Sequence, residues 1–555
     1  MNFLRKAELY FHTLRHLKPL QIWARLYIFL PRQKPDFRPA PALRLISGSW
    51  RNPAMKLDSM LSTNRFCFLN LEHDIGGSSD WDLPNMPKLW LYNLHYFDDL
   101  NAAGAASRIA AHRELILQWV VCNPPGKGTG WEPYPLSLRI VNWIKWAIAG
   151  NVLDDAMRHS LAVQVRYLSR RLEKHLMGNH LFANAKALVF AGCYFCGDEA
   201  AKWLRCGMGI LSKEIPEQIL ADGGHFERST MYHALALEDV LDLINVIQCF
   251  FSELPSEFQQ ELPNLFQRAR SMHSWLLAMC HPDGEISLFN DAAFDIAPSV
   301  THLDSYAHRV LMNVTTPSTE PLIYLKHSGY VRLSYGPAVA LLDVAPVGPD
   351  YQPGHAHADT LSFELSIGVW RLLVNSGTSC YDSGPERLRQ RGTAAHNTVT
   401  INGKDSSEVW SGFRVARRAY PVGLHIKHYA DVSATKVDCS HSGYSWLAGK
   451  PVHHRTWLMD SQGLTVIDRV KGAHKNAEAR FHFHPSVSVE VGSNEVEGTA
   501  TLPGDILVTW RLDGGRARLE ASTWHPRFGQ NDRNVCLIVK LLDGKSTIRF
   551  NWGAV

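Results

Sequence analysis

The feature that most constrains the fold is a change of hydrophobic period at the Pro- and Thr-rich stretch TTPSTEP, residues 315–321. Before it, from about Leu100 to Val310, apolar residues recur at helical spacing. Ile109, Leu115, Ile116, Trp119 and Val120 form one stripe; Ile140, Trp143, Ile144 and Ala147 form another; Leu161, Val165, Leu168, Leu172 and Leu176 form a third. LFANAKALVFAGCYF and HALALEDVLDLINVIQCFF continue the series. Such stripes must be buried against neighbours, so helical hairpins joined by Gly, Pro and Asp turns predict a stack or closed toroid. After the change, segments such as YVRLSY, AVALLDV, NTVTING, ARFHFHP and NVCLIVKLL are short and rich in β-branched or aromatic residues. Polar turns separate them, which predicts an antiparallel all-β domain. The expected protein is multidomain α+β: an N-terminal extension over 1–84, helical and docked, a helical domain over 85–315, and a β domain over 316–555. A cleft between two such halves is a common ligand site.

The N-terminus, MNFLRKAELYFHTLRHLKPLQIWARLYIFLP, interrupts its apolar residues with Arg, Lys, His and Gln. It therefore offers neither a signal-peptide core nor a transmembrane segment. Ile22, Leu26 and Phe29 share one face of a short helix after Pro19, and Arg5, Arg15 and Arg25 make the segment positive. A docked extension is preferred to peripheral membrane contact. The lack of a clear signal peptide points to the cytoplasm, with periplasmic or membrane-peripheral placement as alternatives. Charge is nearly balanced, 57 basic against 53 acidic side chains. That argues against nucleic acid as a partner but leaves room for a local basic cleft that takes a polyanion.

Three stretches carry chemistry. Asn179-His180 opens an apolar helix, where a cap and a surface imidazole are as natural as catalysis. DGGHFERSTMYH, residues 222–233, gathers Glu227, Arg228, Tyr232 and His233 beside a flexible Gly pair. GHAHADTLSFEL, residues 354–365, is the most specific. Read as extended chain, it puts His355, His357 and Asp359 on one face that continues through Leu361, Phe363 and Leu365. An unpaired charge leading into an apolar core is costly, so these groups are expected in a hydrogen-bond network, at a metal or in catalysis. Asn375 and His396 follow at strand ends. Two imidazoles and one oxygen can hold Zn²⁺ with a fourth position open, and Glu227 or Asp359 can orient a histidine through its second ring nitrogen.

Taken in order, WEPYPLSLRIVNW, GNHLFANAKAL, DGGHFERSTMYH, GHAHADTLSFEL, VNSGTSCY and TAAHNTVTING resemble the heparinase II/III-like family, related to alginate and heparan lyases. The resemblance covers roughly residues 85–490. It implies an incomplete (α/α) toroid, an antiparallel β-sandwich and cleavage of uronic-acid polysaccharides by β-elimination. Asn179 and His180 resemble the pair that approaches the substrate carboxylate, Tyr232 the catalytic tyrosine, and His355 the histidine brought by the β domain. His357 and His396 resemble metal-binding histidines. Asn375 stands where the family usually has Asp, and a neutral amide is a poorer Zn²⁺ ligand. The ion is expected to be structural, and no organic cofactor is expected.

Elimination requires loss of a poorly acidic C5 proton while charge builds on the adjacent carboxylate. Asn179, with His180 or His355, is expected to stabilise that charge. Tyr232 or His180 is a candidate base, and Tyr232 a candidate acid for the departing oxygen. Arg139, Arg228 and Arg391 are candidate contacts for carboxylate or sulfate, Glu227 a further substrate-side group, and Trp131 and Tyr134 candidate sugar platforms. Two rival functions remain: metal-assisted glycan hydrolysis, and a non-catalytic role in polysaccharide binding or biosynthesis support.

Overall fold

A computed structural model describes residues 3–27, 34–314 and 318–553. Residues 315–317 and Phe29 lie outside the described residues. Two short helices, Phe3–Leu14 and Pro19–Tyr27, open the chain. They are followed by an element absent from the expected helical extension, a three-stranded antiparallel sheet of Met60–Ser62, Arg65–Phe68 and Leu71–Asp74. Phe66 and Phe68 alternate inward there. Leu69 and Asn70, both at positive φ, make the tight two-residue turn that the strand twist favours.

The helical half follows the apolar stripes. Its longer helices are Pro133–Ile148, Asp155–Ser169, Gly178–Tyr194, Asp198–Gln218, Thr230–Cys249 and Leu262–Ala278, closed by Val300–Val310. Gly192 and Leu204 show how tightly neighbours approach: a Cβ on Gly192 would lie 2.6 Å from the Leu204 Cβ. Among the described residues no helix is long and apolar enough to cross a membrane.

The β half contains a five-stranded sheet built from Leu322–Leu325, Tyr330–Tyr335, Ala338–Asp343, Phe363–Ile367 and Trp370–Leu373 in chain order. A four-stranded sheet, an eight-stranded sheet and a two-stranded ribbon of Val409–Trp410 and Arg414–Val415 complete it, all antiparallel. One apolar core joins the three sheets, with Phe363, Trp457, Phe481 and Phe550 fully buried. Burying each such phenylalanine contributes roughly 2–3 kcal/mol. The architecture is an (α/α) toroid followed by a β-sandwich.

The stretch 354–362 departs from the extended reading. It is a loop with turns, and the strand begins only at Phe363. Leu361 sits at φ 65, which breaks the alternation before the strand starts. His355 and His357 therefore do not share a strand face. One lines a cavity and the other is interior.

Candidate active site

A cavity of 1170 Å³ lies where the toroid, the loops of the β half and the two N-terminal helices meet, and Asn179, His180, Tyr232 and His355 all line it. Each is positioned by a different local device. Gly178 begins its helix at φ +53, a conformation glycine adopts without strain, and the Gln352 amide of the β-half loop packs where a Cβ would project, 2.2 Å from it. Met177 occupies the cap position without a side-chain cap bond, so Asn179 does not cap. Its amide lies in the first turn, and its Oδ1 is buried without a hydrogen-bond partner.

His180 Nδ1 lies 3.1 Å from Glu173 Oε1, and its ring centroid is 4.4 Å from that of Tyr134. Glu173 is fixed in turn by Asn184, which donates from Nδ2 to Oε2 at 3.1 Å. Tyr232 sits in the first turn of Thr230–Cys249. Ser229 caps that helix by accepting from the Tyr232 N–H at 3.2 Å. The Tyr232 ring stacks on His355 with centroids 3.9 Å apart and planes 17° from parallel, and its hydroxyl is 3.0 Å from that of Tyr381. Burial, reinforced by Tyr381, pushes the Tyr232 phenol well above its ordinary range, so it is protonated at neutral pH.

His355 Nδ1 hydrogen-bonds to Glu227. Burial alone would raise the Glu227 carboxyl, but attraction to His355 outweighs it and holds the group below its ordinary value. An ionised carboxylate can only accept, so Nδ1 carries the proton and Nε2 is the ring nitrogen left to the cavity. This bond joins the toroid to the β half. Beside it, Asp291 pairs with Arg387, whose Nη2 is 2.6 Å from Oδ2, and lies 2.8 Å from His357 Nε2.

His357, Asn375 and His396 are all fully buried. The two imidazole centroids are 5.2 Å apart, and His396 Nδ1 is 3.4 Å from Asn375 Oδ1. His357 Nδ1, His396 Nε2 and Asn375 Nδ2 lack hydrogen-bond partners. Burial lowers both imidazoles, His357 to about 4, so both are neutral as metal ligation requires. Unpartnered donor atoms on neutral imidazoles fit an ion, with the Asn375 amide turned to present its oxygen. Among the described residues no group of three or more His, Cys, Asp or Glu side chains is placed to hold a metal, so an ion here would depend on the neutral Asn375 amide as its third ligand.

Three expected substrate contacts, Arg139, Trp131 and Arg391, lie in the interior instead, and a fourth, Arg228, is half-buried outside the cavity lining. Arg139 is fully buried, 3.7 Å over the Trp119 ring, and donates to Gln164 Oε1 at 2.9 Å and to the Gly130 carbonyl at 2.7 Å. Trp131 packs beside Trp119 and donates to the Asn123 carbonyl at 3.2 Å. Arg228, at φ 58, donates to the carbonyls of Ser328 and Phe226. Arg391 donates to those of Ala356 and Gly412. In each case the polar group satisfies backbone carbonyls that burial would otherwise strand. Glu227 is likewise taken up by His355 rather than facing the cavity, whereas Tyr134 does line it.

Two sequence models cover most of the chain: the one described as Heparinase II/III N-terminus matches residues 118–309, and the one described as Heparinase II/III-like, C-terminal matches 317–553. The chain belongs to the heparinase II/III-like family. It is 28% identical over 255 residues to a heparin-sulfate lyase of Bacteroides stercoris, covering 42% of this chain and 37% of that one. It is 23% identical over 449 residues to FtsZ-localized protein C of Caulobacter vibrioides, covering 74% and 72%. The match spans under two fifths of the length of the heparin-sulfate lyases from B. stercoris and Pedobacter heparinus. Among solved structures, heparinase III superposes with a TM-score of 0.68 at 16% identity, covering 100% of this chain and 92% of that one. Heparan sulfate lyase HepC from Pedobacter heparinus gives 0.58 at 18%, covering 97% and 88%. These structures establish the heparinase fold.

Within this heparinase II/III-like site, sequence reading missed Tyr381, although it closes the motif VNSGTSCY. It also missed Asp291 and Arg387, whose neighbourhoods carry no periodic signal. The wall supplied by Tyr10, Thr13, Leu14, Leu17, Gln21 and Arg25 could not be read from spacing at all, because it depends on where the N-terminal helices dock.

Proposed function

We propose that this chain is a polysaccharide lyase that cleaves a uronic-acid glycan by β-elimination at the C4–oxygen bond. The observation that carries the reading is the Tyr232–His355 stack in the cavity that Asn179 and His180 also line, with each histidine held by a carboxylate. In the reaction the C5–H bond breaks, the C4–C5 double bond forms and the C4–O bond breaks. Tyr232, held protonated, suits the acid that gives its proton to the departing oxygen. His180, with Nδ1 engaged by Glu173, offers Nε2 as the base that takes the C5 proton. The Asn179 amide, with His355 held in register by Glu227, stabilises charge growing on the carboxylate.

Zn²⁺ is proposed as a structural ion on His357, Asn375 and His396, where it would tie together three segments of the β half. Those side chains are buried and do not line the cavity, which disfavours metal-assisted hydrolysis. The second reading is glycan binding or biosynthesis support without turnover. It is favoured by the relative matched over 74% of this chain, which is named for its location with FtsZ and not for an activity.

The partner proposed is an anionic polysaccharide, and the compartment the cytoplasm, in keeping with ten unpaired cysteines. Peripheral contact with an anionic bilayer is proposed through the N-terminal helices, which expose Phe3, Leu4, Phe11, Leu20, Ile22, Trp23 and Leu26 beside basic residues. Cosedimentation with anionic vesicles tests that contact. A panel of uronic-acid polysaccharides, followed by ultraviolet absorbance and product mass, tests the lyase reading. New absorbance from an unsaturated uronate is expected; chain shortening without it means hydrolysis, and binding without shortening means the second reading.

A further inference from the structure

We infer that the glycan accepted by this cavity is unsulfated, with carboxylates as its only regular charges. The inference rests on the lyase reading for the reaction, and on the charges of the cavity for the substrate.

Five Lys and Arg side chains line the cavity: Arg25, Lys56, Lys88, Arg414 and Arg527. Five acidic side chains line it too: Asp58, Asp98, Glu285, Asp295 and Asp382. The fixed charges therefore cancel, and three of the cations are already engaged. Lys56 Nζ is 2.6 Å from Glu238, Lys88 Nζ is 2.5 Å from Glu132, and Arg527 pairs with Asp295. Arg414 is stacked 4.8 Å over the Trp410 ring and donates to the Tyr10 hydroxyl at 3.0 Å.

A sulfate stays ionised throughout the working pH range, so it cannot shed its charge to enter a site. Arg25 and Arg414 have no acidic partner among the described residues and can meet a sulfate or two, but each further sulfate of a regularly sulfated chain must either break one of the three pairs or lie beside a carboxylate with no cation to offset it. One carboxylate per reacting sugar is a different demand, and the neutral donor Asn179 with its neighbouring histidines meets it. The wall also carries aromatic side chains, among them Tyr92, Tyr134, Phe294, Phe413 and Phe528, which suit the apolar faces of sugar rings. Arg139 and Arg391 are buried and Arg228 is bonded to backbone carbonyls outside the cavity, so none of the three is offered to a sulfated chain.

Matched pairs of unsulfated and sulfated chondroitin, heparosan and alginate provide the test. For whichever backbone is cleaved, kcat/KM on the unsulfated member is expected to exceed that on the sulfated one by at least about tenfold. Asp295→Asn, which frees Arg527, is expected to shift that ratio toward the sulfated member by severalfold. The same pairs are titrated against Tyr232→Phe by calorimetry, so that substrate preference is read without turnover. Equal or better turnover of the sulfated member, tighter binding of it, or no binding of any unsulfated member overturns the inference. Preferential binding of an unsulfated glycan with no elimination by the unaltered protein upholds it and overturns the lyase reading instead.

Discussion

Tyr232 and His355 lie nearly parallel at 3.9 Å, and each is held from behind, one by Tyr381 and the other by Glu227. Removing the phenol oxygen while keeping the ring separates chemistry from packing. Tyr232→Phe is expected to lower kcat by roughly 10²-fold or more, the usual worth of a positioned acid, with little change in thermal midpoint. Ultraviolet progress curves beside a thermal melt decide it, and near-unaltered turnover would remove Tyr232 from the acid role. Glu227 acts through His355 and is a positioning residue. Glu227→Ala is expected to cost about 10–100-fold in kcat, and Glu227→Gln, which keeps an acceptor for Nδ1–H, to recover part of that loss. Equal loss in both variants would point to a merely structural carboxylate. These groups were legible in sequence because they sit in unbroken motifs. Arg139, Trp131, Arg228 and Arg391 were not, because an arginine or tryptophan that donates to an interior carbonyl looks the same in sequence as one that waits for a ligand.

At the scale of single elements, the helix Thr230–Cys249 carries Tyr232 in its first turn, and Ser229 fixes that turn twice. It accepts from the Tyr232 N–H and donates to the Asp291 carbonyl at 2.5 Å. Ser229→Ala is expected to lower stability by about 1 kcal/mol and to reduce kcat as well, which paired melts and turnover measurements would show. The toroid also holds histidines that cannot charge where they sit. Burial lowers His95 and His233 to about 3, while each has both ring nitrogens already committed in the neutral form. Between about pH 6.5 and pH 3 the unfolded chain binds protons that the folded chain does not. Stability is therefore full above that window and falls with acid, by up to roughly 1.4 kcal/mol per pH unit for each histidine. Thermal midpoints of His233→Gln are expected to fall less steeply from pH 7 to 5 than those of the unaltered protein, and parallel slopes would refute this. The helices were legible from their stripes. The sheet at 60–74 was not, since three strands of three or four residues give too short a pattern, and the loop 354–362 read as a strand because its polar alternation mimics one.

For the whole molecule, the change of period at 315–321 foretold two architectures but not how they meet, because that depends on contacts distant in sequence. Bonds such as Glu227–His355 and Asp291–Arg387 make the junction. The Zn²⁺ proposal belongs at this scale too, since the ion would brace the β half. Asn375→Asp supplies the missing negative charge, and elemental analysis is expected to show more zinc retained than in the unaltered protein, with a larger drop in thermal midpoint on chelation. No zinc in either protein, and midpoints indifferent to added metal, would leave an Asn/His hydrogen-bond cluster. The Glu227–His355 bond has a last consequence for how the protein fails. Each half has a large apolar core, a smaller one packs Trp275 and Phe289 against Tyr330 and Leu341 across the junction, and the site exists only while the two halves are in register. A dose of denaturant too weak to melt either core is thus expected to abolish turnover while the far-ultraviolet dichroism stays intact, and dilution should restore activity without any refolding lag.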